Sequence, residues 1–84
     1  MAIQYQYLEQ VKGVTMIGGH RIRVLDIDDR RKTGLTPEEL ANGYEIPLGA
    51  VYEAIAYAEN HKAEIATLRL DEESALARVQ SRAK

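Results

Sequence analysis

Thr36-Pro37-Glu38-Glu39-Leu40-Ala41-Asn42-Gly43-Tyr44-Glu45-Ile46-Pro47-Leu48-Gly49-Ala50-Val51 is the stretch from which the rest of the chain is read. Thr36 can cap the first free amides of a helix. Pro37 sits where a missing N–H costs nothing, and Glu39, three residues after the cap, can return a bond to the Thr36 amide. Leu35 and Leu40 flank this signal like a hydrophobic staple. Asn42-Gly43 reads as a stop, so the first helix is expected to be about two turns long. Pro47 biases Ile46 away from helical dihedrals. A second helix is then expected from about Leu48 to Asn60, with Leu48, Val51, Tyr52, Ile55 and Ala58 at helical spacing. Ala50, Ala54, Ala56 and Tyr57 make it apolar nearly all round, which predicts two buried faces, the second against another subunit. Short helix, tight connection and longer helix over residues 36–60 form a helix-turn-helix pattern. Ala41 is small enough for a close crossing, and Ile46 and Val51 can fill the angle.

Upstream, Val14-Thr15-Met16-Ile17 is β-branched and apolar, Gly18-Gly19 follows, and Arg21-Ile22-Arg23-Val24 alternates with period two. The reading is a hairpin turning at the glycine pair. Leu25 to Thr33 is expected to be a helix that stops at Gly34. Downstream of His61 the composition becomes charged and alanine-rich. Ile65, Leu68, Leu70, Leu76 and Val79 leave an apolar stripe, and Asp71 opens an acidic turn that reads as the cap of a final helix. The expected fold is therefore mainly α: a short N-terminal β-hairpin plus a three- to four-helix helix-turn-helix bundle. A domain over residues 1–66 would be followed by a helical tail over 67–84.

The chain has 84 residues, no cysteine and a formal net charge of -2. That is one domain at most, of marginal stability, for which a partner subunit is a natural source of further burial. Disulfides and thiolate metal sites are excluded. No stretch approaches the ~20 apolar residues of a membrane span, and Met1-Ala2-Ile3-Gln4-Tyr5 does not open a signal peptide. A soluble cytoplasmic protein with no membrane contact is expected.

The net charge gives no global pull toward nucleic acid. Pro47, Leu48, Gly49, Ala50, Tyr52 and Glu53 stand where a second helix would reach base edges, and none is an Arg, Lys, Asn or Gln. The cations lie elsewhere: Arg21 and Arg23 on the expected strand, and Arg30, Arg31 and Lys32 at the end of the next helix. These five are the candidate phosphate contacts, weighed against a solvated charged rim. His61 with Glu64 is an i, i+3 pair, but two ligands make no metal site. Asp26 and Asp29 fall on a different helical face from Asp28. No nucleophile–base arrangement and no phosphate-cradling loop can be read, so no enzyme, metal or cofactor is expected.

Gly18-Gly19-His20-Arg21-Ile22-Arg23-Val24, Gly34-Leu35-Thr36-Pro37-Glu38-Glu39-Leu40-Ala41, Val51-Tyr52-Glu53-Ala54-Ile55-Ala56-Tyr57 and His61-Lys62-Ala63-Glu64-Ile65 together resemble the bacterial and archaeal domain of unknown function 433 family. The resemblance covers about residues 11–66. It implies a small helix-turn-helix protein of the VapB-type antitoxin kind, paired with a PIN-like ribonuclease toxin. It also implies dimerisation and binding to operator DNA in its own promoter. The chain has Gly19-His20-Arg21 where the family commonly has Gly-Thr-Arg, and Pro47 where Thr or Ser often opens the second helix. On this reading a homodimer forms through Ile22, Tyr52, Ala56 and Tyr57. Ile65, Leu68, Leu76 and Val79 dock on the toxin, with Glu64, Glu72 and Glu73 facing its basic residues. The alternatives are a DNA-binding regulator without a toxin, and a purely structural dimeric interaction module.

Overall fold

The computed structural model describes the backbone of residues 5–82 and side chains as far as Ala77. Two strands, β1 (Leu8–Val11) and β2 (Val14–Ile17), precede four helices: α1 (Val24–Lys32), α2 (Pro37–Tyr44), α3 (Leu48–Asn60) and α4 (Lys62–Arg82). The chain is thus mainly helical behind an N-terminal hairpin, as the pattern predicts.

The hairpin is not where the glycine pair places it. β1 and β2 pair antiparallel, with Leu8 opposite Ile17 and Val11 opposite Val14. The turn is Lys12-Gly13, where φ is 53° and 82°. Positive φ at both central residues is the two-residue turn that matches strand twist, and Gly13 supplies half of it without strain. Arg21–Val24 is not a strand. Its ladder is reduced to a single bridge between Met16 and Arg23, with the Ile17 amide donating to the Ile22 carbonyl at 2.9 Å. The cause is Asp26, whose carboxylate accepts from the Arg23 backbone amide at 3.1 Å and so closes the first turn of α1. Gly34 ends α1 at φ 107°, a conformation that favours glycine.

The capping box at α2 forms as its residues dictate. The Thr36 amide donates to Glu39 at 2.9 Å, and the Glu39 amide donates to the Thr36 hydroxyl at 3.2 Å. The helix runs past Asn42-Gly43 to Tyr44, because the stop lies at Glu45, whose φ is 57°. The Ile46 amide then reaches back to the Ala41 carbonyl at 3.0 Å, which seals the end. Ile46 is thereby turned inward, and Pro47 opens α3.

Ile17, Val24, Leu25, Ile27, Leu40, Ile46, Ala50, Val51, Ala54, Tyr57, Ala58 and Ile65 form the core. α1, α2 and α3 pack on one another around it, and β1 lies against α3. Ala50, Val51 and Ala54 are fully buried. Their small size allows α3 to sit centrally, so the inward face of this apolar helix is covered within its own chain.

Asp71 caps nothing. It lies inside α4, which runs unbroken from Lys62 to Arg82. That span contains neither Gly nor Pro, so nothing in its backbone interrupts the helix. Only the first half of α4 touches the core. The second half extends beyond it and contributes to a long axis of 45 Å against 30 and 23 Å.

Candidate interaction surface

The five candidate phosphate contacts separate into two groups. Arg31 donates at 2.8 Å to Asp28 and at 2.8 Å to Glu59 of α3. Lys32 lies 3.1 Å from the other Asp28 oxygen. Arg23 grips Asp26 through two nitrogens, at 3.1 and 2.8 Å, and reaches Glu72 of α4 at 3.3 Å. These three cations are already engaged inside the chain. Arg21 and Arg30 are exposed and make no ion pair among the described residues. Arg30 borders a groove of about 250 Å³ with Leu35, Glu39, Leu40, Gly43 and Tyr44.

Asp28 is the centre of this network. Its side chain is 4 % exposed, and Arg69 of α4 approaches it as a third cation, at 3.5 Å. Arg69 also pairs with Asp29. Burial works to raise the Asp28 carboxyl, but hydrogen bonds from Arg31 and Lys32 outweigh it and hold the group below its usual range. Asp28 in turn raises Arg31, helped by Glu59. Asp29 raises Arg69 against the opposing effect of burial. The network joins α1 to α3 and to α4.

The outward face of α3 carries no base-reading side chain. Leu48 and Tyr52 are 39 % and 50 % exposed. Glu53 is turned aside, its carboxylate accepting from the backbone amides of Gln6 at 2.9 Å and Tyr7 at 2.7 Å. The Tyr7 ring lies over Gly49, where a Cβ would come within 3.0 Å of it. The N-terminal segment is thus strapped along the start of the helix that a DNA reader would present.

Two of the expected dimer residues are spent internally. Tyr57 is buried and accepts from the Thr15 hydroxyl at 3.0 Å. It stacks on His61 at 4.0 Å and meets Tyr5 edge-on at 5.5 Å. Burial raises the Tyr57 hydroxyl, and Glu64 raises it further. Ile22 is half-buried and packs against the core. Tyr52 and Ala56 remain exposed. Histidine and glutamate of the i, i+3 pair therefore serve Tyr57, and no metal-binding cluster of three or more such residues occurs among the described residues.

The expected partner stripe is likewise divided. Ile65 is 3 % exposed within the core, and Leu68 is half-buried against it, so neither is available for docking. Leu76 is 56 % exposed, whereas the Val79 side chain lies outside the described residues. Leu70, on another face of α4, is 63 % exposed. Leu76 also borders a groove of about 270 Å³ with Asp29, Arg69, Glu72 and Glu73. An exposed helical arm bearing isolated leucines among carboxylates can recognise a partner by apolar and ionic contact. No helix among the described residues is long and apolar enough to cross a membrane.

The family described as Protein of unknown function (DUF433) matches residues 7–58, more than half of the chain, and the chain belongs to it. No curated protein and no solved structure matches it.

Proposed function

We propose that this member of the DUF433 family is an antitoxin-like cytoplasmic binding protein without catalytic activity of its own. It neutralises a PIN-like ribonuclease toxin through the free half of α4. The observation that carries this reading is the pair of leucines on that arm, Leu70 and Leu76, which are the most exposed large apolar side chains described. Asp71, Glu72 and Glu73 lie between them. Burying such leucines in a groove supplies the affinity, and the carboxylates suit a cleft whose basic residues otherwise hold RNA. The engagement of Arg23, Arg31 and Lys32 within the chain supports protein over nucleic acid as the first partner.

Co-expression with the PIN-like ribonuclease tests this. The chain should copurify with the enzyme and suppress its cleavage of RNA. Leu70→Asp together with Leu76→Asp should release the activity while the protein stays folded. Suppression at full strength by that double variant would refute the reading.

A second reading has its own support in the helix-turn-helix unit and in the two unpaired cations. Operator DNA would be held at Arg21 and Arg30, with affinity falling as salt rises. Affinity and salt slope that do not change in Arg21→Gln and Arg30→Gln would exclude it.

A further inference from the structure

We propose that the free half of α4 pairs antiparallel with the free half of α4 in a second copy of this chain, with the two-fold axis at Leu76. The argument begins with helical phase. Ile65 and Leu68 face the core. At ~100° per residue the same stripe continues through Glu72 to Leu76. Glu72 still reaches back to Arg23. At Leu76 the core has ended, and the stripe is left 56 % exposed.

Length points to the same place. Arg69 and Glu72 make the last described contacts from α4 to α1. Residues 70–82 form the free segment, about 20 Å of helix at ~1.5 Å per residue. Its midpoint is residue 76. An antiparallel partner centred there uses the whole free segment and stops short of the core. Ala75 and Ala77 adjoin the axis and are small enough for the helices to approach closely.

Charge fixes the orientation. By helical position Asp71, Arg78 and Arg82 share one flank of the stripe, and Glu73 and Gln80 share the other. In an antiparallel pair like flanks meet, so Asp71 of one copy comes opposite Arg78 and Arg82 of the other. Glu73 comes opposite Gln80. The groove beside Leu76, with Asp29, Glu72 and Glu73 against the single guanidinium of Arg69, then receives the basic end of the second arm. A parallel pair fails on volume. The face that would meet the partner at Leu76 meets its own core at Ile65 and Leu68, so both cores would claim the same space. The occupant is a second copy because the arm is complementary to itself.

Self-pairing and capture of another protein at Leu76 exclude each other. This regulatory consequence rests on the proposed function, whereas the pairing itself does not.

The chain has no cysteine, so single-cysteine variants report the axis directly. On mild oxidation Leu76→Cys should form a disulfide-linked dimer much faster than Tyr52→Cys on α3. In sedimentation, an arm made basic by Asp71→Lys and Glu73→Lys should dimerise at least about tenfold more weakly. An arm made acidic by Arg78→Glu and Arg82→Glu should do likewise. Mixing the two should restore a dimer containing one of each, and circular dichroism of each variant alone checks that the helices are retained. A wild-type protein that stays monomeric at high micromolar concentration would overturn the proposal. So would preferential cross-linking at Tyr52→Cys, or a mixture that fails to restore the dimer. None of these measurements involves a toxin, so their failure is separate from failure of the antitoxin reading.

Discussion

Asp28 and Arg69, 41 residues apart in sequence, meet at 3.5 Å where α4 leaves the core. The carboxylate already serves Arg31 and Lys32 from its own helix, so one buried acid gathers three cations from two elements. Removing it leaves those cations facing one another. Asp28→Ala should lower stability by about 2–3 kcal/mol, read as a fall in the denaturant midpoint with an unchanged slope.

The same carboxylate predicts an acid dependence. Its pKa is lower in the folded chain than its ordinary value, so the folded state binds the proton less readily than the unfolded one. The contribution is complete above the unfolded value of about 3.9. It is lost as the pH falls through the folded value. Thermal melts of the wild type and Asp28→Asn should differ most near neutrality and converge in strong acid. A gap that stays constant with pH would show that Asp28 acts by packing alone.

Glu53 ties two backbone amides that no strand partner satisfies. Glu53→Ala should cost about 1–2 kcal/mol. The loss should be local, with the amides of Gln6 and Tyr7 exchanging faster while those of α1 and α2 keep their protection. Uniform loss across the chain would mean that the N-terminal segment is integral to the core.

Glu45 holds a left-handed conformation, with φ 57°, at the end of α2. A side chain pays for that conformation and glycine does not. Glu45→Gly should therefore stabilise the protein by about 0.5–1 kcal/mol and raise its melting temperature, provided the closure from Ile46 to Ala41 is kept.

The cations should respond differently to neutralisation. Arg21→Gln and Arg30→Gln should change stability by less than about 0.5 kcal/mol. Arg31→Gln strips Asp28 and Glu59 of a shared partner and should cost about 1–2 kcal/mol. Chemical denaturation of the three variants side by side checks the ranking.

The helix-turn-helix unit was legible because its signals are local. Thr36, Pro37 and Glu39 act within one turn, and Pro47 acts on its neighbour. The hairpin was misread because Lys12-Gly13 lacks the usual Asn or Asp before glycine, while Gly18-Gly19 looks like a turn and serves only as a loop. Asp71 misled because a cap and an interior acid are the same letter. The absence of Gly or Pro before it was the better guide. At the surface, the i, i+3 and i, i+4 spacing of Asp28 with Arg31 and Lys32 announced those pairs. Glu59 and Arg69 come to the same network from 28 and about 40 residues away, beyond the reach of any local pattern. The strap of Gln6 and Tyr7 on Glu53 is equally long in range. It is the reason that α3 presents so little to a nucleic acid.

The clasp of Arg69 and Glu72 on α1 acts as a keyway. Two contacts one turn apart on α4 set the rotational phase of everything beyond them, so α1 aims Leu76 without touching it. One alanine inserted between Ser74 and Ala75 would leave the core and the clasp intact, yet swing Leu76 by about 100°. The tip of the arm would then point its leucine a quarter-turn away from any surface evolved to meet it.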